Sequence, residues 1–281
     1  MPTIHPTSVI HPDARLDPSV EVGPFCNVGP HVTIGAGTRL ISHVAVMGRT
    51  TIGQGNTIFP MAVLGADPQD LKFHGEDSEL VIGDRNEVRE SVTIHKGTEN
   101  GGNVTRIGDG NLVMAYVHIG HDCTVGDRCI LANMVQLAGH IHVDDHANIG
   151  GATAIHHYVT IHKYAFIGGV SRIVHDVPPF MLVEGNPARV RGVNLVGLTR
   201  HKFTDDQKDT LKQAWRLLYR GNGDEGAVGS MAEAITTLRA DHGDDPHIQQ
   251  LLAALEKASQ GVHGRALEAT RRDNRYRNPV K

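Results

Sequence analysis

The sequence IGDGNLVMAYVHIGHDCTVGDRCILANMVQLAGHIHV, residues 107–143, is built on a repeat of six residues. Every sixth residue is aliphatic, and these positions are Ile107, Val113, Ile119, Val125, Leu131, Leu137 and Val143. The same rhythm runs from Ile4 to Leu64, returns from Ile82 to Ile94, and continues beyond residue 143 to Ile173. An amphipathic helix has an apolar period of about 3.6 residues and a half-buried strand a period of about 2, so neither explains a sustained period of six. The repeat predicts a hexapeptide β-solenoid.

In such a solenoid each hexapeptide forms one side of a triangular coil, and its aliphatic residue points inward. Three hexapeptides complete a coil of 18 residues, so residues 18 apart lie one strand spacing apart, about 4.7–4.9 Å. Glycine often follows the aliphatic residue, as in Val22-Gly23 and Ile52-Gly53, where we expect the chain to bend without a clash from a Cβ atom. The period itself leaves the handedness of the coil open.

The repeat is interrupted twice. Between Leu64 and Ile82 the next two repeat positions would be Asp70 and Glu76, and two unpaired carboxylates do not belong in an aliphatic stack. We therefore expect this segment to leave the coil as a loop. After Ile94 the spacing to the next repeat position indicates a seven-residue insertion. Extra residues in a rigid solenoid commonly belong to binding loops.

The repeat ends after Ile173 in a Pro- and Gly-rich segment, which predicts an exit strand and a linker. Three helices are predicted beyond it by their N-cap signals, which are the capping boxes Thr204/Gln207 and Ser230/Glu233 and the pair Asp245-Pro246. We therefore divide the chain into a β-helix domain over residues 1–191, a helical domain over 192–259 and a tail over 260–281. The tail carries five Arg and one Lys against one Glu and one Asp, and we expect it to be disordered.

The composition argues against several functional classes. A formal net charge of −4 provides no basic field to attract nucleic acid or an anionic membrane. Three cysteines are too few for a disulfide framework, and the first residues lack the charged and apolar regions of a secretory signal. No stretch approaches the roughly 18 apolar residues of a membrane-spanning helix. We expect a cytoplasmic protein that neither binds nucleic acid nor inserts stably into a membrane.

Histidines are concentrated in the second half of the repeat region. Of the 19 histidines, nine lie between residues 95 and 162. The coil of three hexapeptides stacks Asp122 on His140 and His121 on Gly139, and we expect His156 to lie at the same edge. Clustered imidazoles repel one another when protonated, so such a cluster favours neutral, basic forms near pH 7.

Three roles fit this cluster. In general-base catalysis, His121 would remove a proton from a hydroxyl while Asp122 fixes its tautomer. In a zinc enzyme, His121, His157 and His162 would form a three-histidine site with an open fourth position, a spacing similar to that of the γ-class carbonic anhydrases. In a non-catalytic scaffold, the histidines would be surface polar groups with no shared function.

Several segments together resemble one family, the UDP-N-acetylglucosamine O-acyltransferases that begin lipid A synthesis. They are PQDLKF (68–73), GDRNEVRESVTIHKGT (83–98), HIGHDCTVGDRCILAN (118–133), LAGH (137–140), IGGATAIHH (149–157), DVPPF (176–180) and GVNLVGL (192–198). The resemblance runs from residue 1 to about residue 259. It implies a left-handed parallel β-helix and a homotrimer with active sites between subunits.

The resemblance also implies the reaction. An (R)-3-hydroxyacyl chain would pass from the thioester of acyl carrier protein to the 3-hydroxyl of UDP-N-acetylglucosamine, with no cofactor or metal. Acylation of the 3-amino analogue of the nucleotide sugar remains open. Because acyl carrier protein is acidic, we expect it to dock on the Arg-rich tail or on basic residues of the helical region, such as Lys202, Lys208, Lys212 and Arg216.

The family's functional residues carry over by position. The resemblance implies that His121 is the general base, that Asp122 orients it, and that the backbone N–H of Gly139 stabilises the oxyanion. Gly169 and Phe166 match positions that set the acyl-chain length, with Gly169 admitting a long chain. The implied substrate-binding residues are Asp70, Lys72, His95, His118, His140, His156, Asn194 and Arg200.

Three positions depart from the family pattern. His157 stands where the family commonly has Gln, Val196 where it has Glu, and His201 where it has Arg. All three departures concern the side of the site that binds the nucleotide sugar, so the catalytic assignment is the firmer part of the prediction.

Overall fold

Three parallel sheets form the sides of one solenoid in the computed structural model, which describes residues 1–220 and 230–270. The chain passes from the first sheet to the second and then the third before it returns to the first. The strands of the first sheet are Thr3–Ile4, Glu21–Val22, Arg39–Leu40, Thr57–Ile58, Glu87–Val88, Leu112–Val113, Ile130–Leu131, Asn148–Ile149, Phe166–Ile167, Met181–Gly185 and Ala188–Val193. Those of the second sheet are Val9–Ile10, Asn27–Val28, Ala45–Val46, Val63–Ala66, Thr93–His95, His118–Ile119, Gln136–Leu137, Ala154–Ile155 and Arg172–Ile173. Those of the third sheet are Arg15–Leu16, Val32–Ile34, Arg49–Ile52, Glu79–Ile82, Val104–Ile107, Thr124–Val125, His142–Val143 and Thr160–Ile161.

The register of the strands confirms the predicted coil. Ile4 pairs with Val22, and Leu137 pairs with Ile155, so strand partners are separated by three hexapeptides wherever no insertion intervenes. The repeat positions from residue 22 to residue 173 are buried in one continuous aliphatic core. The exception is the first coil, where Ile4 is 39% exposed because no coil covers it.

Glycine follows the aliphatic residues because successive coils approach closely there, whereas the sequence suggested that the chain bends at these positions. The φ angles of Gly53, Gly83 and Gly126 are not positive, and a Cβ atom on any of them would collide with an aspartate and the backbone of the next coil. Close approach between coils therefore selects glycine here. Left-handed backbone conformations at the corners are instead adopted by residues such as Asp122 and His140.

A ladder of aspartates joins successive coils at the corner between the third and first sheets. The backbone N–H of Asp84 donates to Asp109 Oδ1 at 2.8 Å, that of Asp109 to Asp127 Oδ1 at 2.8 Å, and that of Asp127 to Asp145 Oδ1 at 3.0 Å. Each carboxylate thus binds the corresponding residue of the neighbouring coil. We call these four residues the Asp ladder.

Both interruptions of the repeat are insertions, as predicted. An uninterrupted coil would pair Thr57 with position 75, but Thr57 pairs with Glu87, so the loop after the strand Val63–Ala66 adds the length of two hexapeptides. An uninterrupted coil would likewise pair Thr93 with position 111, but its partner is His118, which corresponds to the seven-residue insertion. This second insertion contains a 3₁₀ turn, Glu99–Gly101.

The segment after Ile173 is a hairpin rather than the predicted exit strand and linker. Its strands Met181–Gly185 and Ala188–Val193 are antiparallel, and the first continues the parallel first sheet by pairing with Phe166–Ile167. The second strand crosses the predicted boundary at residue 191. The hairpin buries Phe180 and Met181 in a second apolar core that it shares with the helices.

Helices follow the hairpin. They are α1 (Leu195–Arg200), α2 (Asp205–Trp215) with a π-helical continuation over Arg216–Arg220, α3 (Met231–His242), α4 (Pro246–Gln260), a 3₁₀ turn over Gly264–Ala266 and α5 (Leu267–Thr270). The caps at Thr204, Ser230 and Asp245 are confirmed, and α1 is an addition to the three predicted helices. Within the described ranges, no helix is long and apolar enough to cross a membrane.

The first part of the predicted tail is ordered. Arg265 N–H donates to Asp176 Oδ1 at 3.0 Å, and the same oxygen accepts the N–H of Thr160 at 2.7 Å. Asp176 therefore fixes residues 264–270 against the solenoid, which corrects the expectation of disorder for them. The rest of the Arg-rich tail, residues 271–281, lies outside the described residues, as do residues 221–229.

Candidate functional site

His121 and Asp122 lie at the corner between the second and third sheets, directly after the strand His118–Ile119. His121 Nδ1 and Asp122 Oδ2 are 2.7 Å apart, and the Asp122 side chain is only 1% exposed. A carboxylate oxygen accepts hydrogen bonds, so the contact favours a proton on Nδ1, and in the neutral ring with that tautomer Nε2 keeps its lone pair. Nε2 is the atom able to take a proton from a substrate.

Thr98 holds the other side of the Asp122 carboxylate. Its backbone N–H donates to Asp122 Oδ1 at 2.7 Å, and its Oγ1 donates to Asp122 Oδ2 at 2.6 Å. Gly101 packs so closely on this carboxylate that a Cβ atom there would collide with it. The seven-residue insertion thus orients Asp122. Sequence reasoning did not name Thr98, although the interruption of the repeat indicated the segment that contains it.

The first insertion, after the strand Val63–Ala66, supplies Asp70 and Lys72 to the same corner. Lys72 Nζ lies 3.4 Å from Asp70 Oδ2, and Asp70 Oδ2 lies 3.9 Å from His121 Nε2. Burial alone would raise the pKa of Asp70, but the hydrogen bond from the Lys72 N–H and the Lys72 charge outweigh it and lower that pKa. The loop is anchored where Lys96 pairs with Asp67 at 3.0 Å. An ammonium and a carboxylate therefore stand beside the candidate base.

Further histidines surround the pair. The His140 ring lies edge-on to that of His121, with 5.0 Å between centroids, and its Nδ1 is 3.7 Å from Asp122 Oδ2. His95 and His118 are also in contact, with 5.0 Å between centroids. Burial, followed by the charges of neighbouring histidines, lowers the pKa of His95 to about 4 and also lowers that of His118. The rings of His95 and His118 are therefore uncharged hydrogen-bonding groups at neutral pH.

Gly139 lies against the reactive face of His121. A Cβ atom at residue 139 would stand only 2.7 Å from His121 Nε2, so glycine is required for the ring to occupy this position. The backbone N–H of Gly139 donates to Nδ1 of His157 at 3.1 Å. His157, one of the three departures from the family pattern, thus contacts the predicted oxyanion donor.

The three-histidine zinc arrangement is not formed among the described residues of this chain. His157 Nδ1 accepts from Gly139, while His162 Nδ1 hydrogen-bonds Asp144 Oδ2 at 3.0 Å. The group with metal-ligand spacing is His121, Asp122 and His140. In this group the Asp122 carboxylate already accepts hydrogen bonds from Thr98 and His121.

Asn194 and Arg200 lie at a second location. Both line a cavity of about 390 Å³ together with Phe166, Val196 and His201, and none of its described lining residues belongs to the His121 corner. The Asn194 side chain caps α1: its Oδ1 accepts the N–H of Gly197 at 3.0 Å, and its Nδ2 donates to the carbonyl of Tyr164 at 2.9 Å. These are structural contacts, so Arg200 is the better candidate for substrate contact here.

His156 lies beside His157, with 5.4 Å between ring centroids, and so adjoins the His121 corner through Gly139. His156 Nδ1 lies 3.8 Å from Glu268 Oε2, and burial, followed by the charge of Arg265, lowers the His156 pKa. A Cβ atom on Gly169 would lie 3.1 Å from the Gly151 carbonyl oxygen, and Gly169 does not line the cavity that contains Phe166. The two predicted chain-length residues therefore do not share the cavity of about 390 Å³ that Phe166 lines.

Comparison with known proteins first defines the class. A model of the bacterial transferase hexapeptide, six repeats long, matches residues 105–139. A second model, described as UDP-N-acetylglucosamine O-acyltransferase domain 2, matches residues 176–263.

Individual relatives then define the family. The acyl-[acyl-carrier-protein]–UDP-N-acetylglucosamine O-acyltransferase of Synechocystis is 52% identical over 221 residues, which cover 79% of this chain and 80% of the relative. The structure of LpxA from Acinetobacter baumannii aligns with a TM-score of 0.85 at 41% identity, covering 91% of this chain and 97% of that one. The UDP-N-acetylglucosamine O-acyltransferase of Moraxella catarrhalis aligns with a TM-score of 0.84 at 41% identity and the same coverage. The chain belongs to the UDP-N-acetylglucosamine O-acyltransferase family, and the predicted left-handed parallel β-helix with a C-terminal helical region is confirmed.

Proposed function

We propose that the chain transfers an (R)-3-hydroxyacyl group from acyl carrier protein to the 3-hydroxyl of UDP-N-acetylglucosamine, the first step of lipid A synthesis, with His121 as general base. The observation that carries this proposal is the relation between His121 and Gly139. His121 Nδ1 is committed to Asp122 at 2.7 Å, and its Nε2 lies 2.7 Å from the position that a Cβ atom on Gly139 would take. The Gly139 amide can donate to an oxyanion. A proton acceptor and an oxyanion donor thus stand side by side.

The reaction balances with these groups alone. His121 Nε2 takes the proton of the sugar 3-hydroxyl as that oxygen attacks the thioester carbon, and a C–O bond forms. The carbonyl oxygen becomes an oxyanion and accepts the Gly139 N–H, while Asp122 stabilises the imidazolium. Collapse of this intermediate breaks the C–S bond, and the leaving thiolate takes the proton from His121.

The nucleotide sugar would be bound by groups from both locations. Lys72, beside His121, presents an ammonium suited to a phosphate, and Arg200 offers a guanidinium that can bind phosphate oxygens in pairs. The two locations share none of their described lining residues within one chain. We therefore propose a homotrimer in which the Arg200 cavity of one protomer completes the His121 corner of its neighbour.

Complementation between subunits tests this arrangement. Homotrimers of His121→Ala and of Arg200→Ala should each be nearly inactive, whereas mixed trimers should regain activity, because some sites then receive His121 from one subunit and Arg200 from another. Failure of mixed trimers to exceed both parents would place the two residues in the same protomer's site. A stable and active monomer in light scattering would contradict the trimer itself.

The docking of acyl carrier protein is proposed to be electrostatic. Of the predicted basic residues, Lys208 already pairs with Asp205 at 2.8 Å and Lys212 with Asp209 at 2.7 Å. These pairs leave Lys202 and Arg216 as the preferred docking residues. Electrostatic attraction weakens with ionic strength, so the KM for the acyl donor should rise with salt and that for the nucleotide sugar should change less. A donor KM independent of salt would contradict this docking mode.

The acyl chain is proposed to be long, because the position that matches the family's chain-length residue is Gly169, from which no side chain projects to shorten the chain's path. Competition among carrier-bound 3-hydroxyacyl chains of several lengths measures the preference directly. Gly169→Met should shift the preference toward shorter chains. Phe166→Met places the same side chain at the other predicted chain-length position and is the comparison for it. An unchanged preference in Gly169→Met would remove Gly169 from this role.

The activity itself is tested with purified protein, carrier-bound 3-hydroxyacyl chains and UDP-N-acetylglucosamine, with the product identified by mass spectrometry. Transfer to the sugar oxygen by the wild type, its loss in His121→Ala, and its retention in His31→Ala, which removes an exposed histidine far along the solenoid, would support the proposal. Exclusive transfer to the 3-amino analogue would show that the chain forms an amide instead. No transfer to either acceptor would contradict the proposal.

A further inference from the structure

The amide that the proposed reaction assigns to the oxyanion is already occupied by a side chain. The N–H of Gly139 donates to Nδ1 of His157 at 3.1 Å, and the two residues occupy the same position in successive coils. His157 is supported from one side by His156, whose ring lies edge-on with 5.4 Å between centroids and an angle of 79°. The contact therefore joins one coil to the next.

This hydrogen bond constrains the protonation of His157. Nδ1 accepts a hydrogen bond only when it has no proton, so the ring is neutral and carries its hydrogen on Nε2. A thioester carbonyl oxygen that approaches His121 needs the same Gly139 N–H. One N–H cannot form two full hydrogen bonds in different directions, because the strength of such bonds falls steeply away from linearity. Substrate and His157 must then compete for it.

We propose that His157 is a positioning residue that caps the Gly139 amide until the thioester carbonyl displaces it. In the unloaded site the cap satisfies the hydrogen-bonding capacity of the Gly139 amide. In the loaded site the ring has turned away and the amide faces the oxyanion. The inference rests on the proposed role of Gly139. It adds that the affinity for the acyl donor is reduced by the fraction of sites that are capped.

Three variants of His157 separate the cap from other roles. His157→Ala removes the acceptor and the ring, His157→Phe keeps a ring without an acceptor, and His157→Gln keeps a carbonyl acceptor without the ring. A net hydrogen bond of ordinary strength changes an equilibrium by roughly two- to tenfold. The KM for the acyl donor should therefore fall by about that factor in the Ala and Phe variants, with kcat unchanged, and should return toward the wild-type value in the Gln variant. His31→Ala is the control. A donor KM that rises, or a kcat that falls in both Ala and Phe variants, would overturn the cap.

A second measurement does not depend on activity. Hydrogen exchange of the Gly139 amide, followed by NMR on protein labelled with ¹⁵N-glycine, should be roughly two- to tenfold faster in His157→Phe than in the wild type, and slow again in His157→Gln. Equal exchange rates in all three proteins would overturn the inference even if the enzyme is active. If His157 slows exchange of the Gly139 amide in a protein that has no transferase activity, the hydrogen-bond cap is supported and the proposed function is contradicted. A failure of the cap and a failure of the proposed function are therefore distinguishable.

Discussion

Two corners of the same solenoid use aspartate in opposite ways. At the corner between the third and first sheets, each residue of the Asp ladder binds the corresponding residue of the next coil. At the corner between the second and third sheets, Asp122 binds His121 beside it in sequence and Thr98 from an insertion. In the Asp ladder the partners follow the repeat and the contacts join the coils. At Asp122 the partner Thr98 comes from an insertion, and the contact orients a carboxylate beside the candidate base.

Among the variants, His121→Ala should have the largest effect on the rate. Loss of a general base typically reduces the rate by about 10²–10⁴-fold, and because His121 lies outside the aliphatic core its loss should leave the fold unchanged. Steady-state kinetics with the trimer confirmed by light scattering checks both parts. Asp122→Asn should lower the rate less and in the same direction. Activity of His121→Ala within threefold of the wild type would remove His121 as the base.

Gly139→Ala should have the next largest effect. The added methyl group would stand 2.7 Å from His121 Nε2, and the ring would have to move away from the position that it needs for proton transfer. A displacement of this kind can reduce a rate by about 10²-fold. We expect kcat to fall while melting temperature changes little, and Gly151→Ala provides a comparison at another corner. A wild-type kcat in Gly139→Ala would show that the ring is not fixed by this contact.

Acid should weaken the fold at the histidine-rich corner. The pKa of His95 is about 4 in the folded protein, below its ordinary value of 6.5, because the ring is buried. Below pH 6.5 the unfolded chain therefore binds a proton that the folded protein does not, and stability is lost as pH falls toward 4. Between pH 7 and pH 5 this site alone should lower the free energy of unfolding by about 2 kcal/mol. Urea unfolding of wild type and His95→Gln at both pH values measures it, and an equal loss in both proteins would contradict the assignment.

Thr98→Val tests whether the insertion acts through Asp122. The variant keeps the backbone N–H donor to Oδ1 and removes only the hydroxyl donor to Oδ2. A hydrogen bond to a charged group contributes about 1.5–3 kcal/mol, and we expect part of that loss to appear as a roughly tenfold lower kcat. Thr98→Ser should restore the rate because it restores the hydroxyl. A wild-type kcat in Thr98→Val would show that the hydroxyl donor to Oδ2 has no part in the reaction.

The sequence predicted the coils and their core, and it missed contacts whose partners come from elsewhere in the chain. The period of six predicted the coils, the buried aliphatic positions and the pairing of equivalent positions in successive coils, because in a solenoid each residue contacts mainly its neighbours in the adjacent coils. It could not identify Thr98, whose distance from Asp122 is set by an insertion. Nor could it show that the Asn194 side chain caps α1, or that Asp176 fixes residue 265, since these contacts join segments unrelated by the repeat.

The smallest expected effect is that of Asp145→Ala, which changes the Asp ladder and leaves the His121 corner intact. Asp145 accepts the N–H of Asp127 at 3.0 Å through Oδ1 and pairs with Lys163 Nζ at 2.9 Å through Oδ2. Asp145→Ala removes one hydrogen bond between coils and a half-exposed ion pair, so we expect a loss of about 1 kcal/mol in the free energy of unfolding. Because neither partner lies at the His121 corner, kcat and both KM values should stay at wild-type levels. Lys163→Ala isolates the ion pair and should cost less than Asp145→Ala. A fall in kcat for Asp145→Ala without a loss of stability would mean that the ladder serves the reaction, and the distinction between the two corners would be wrong.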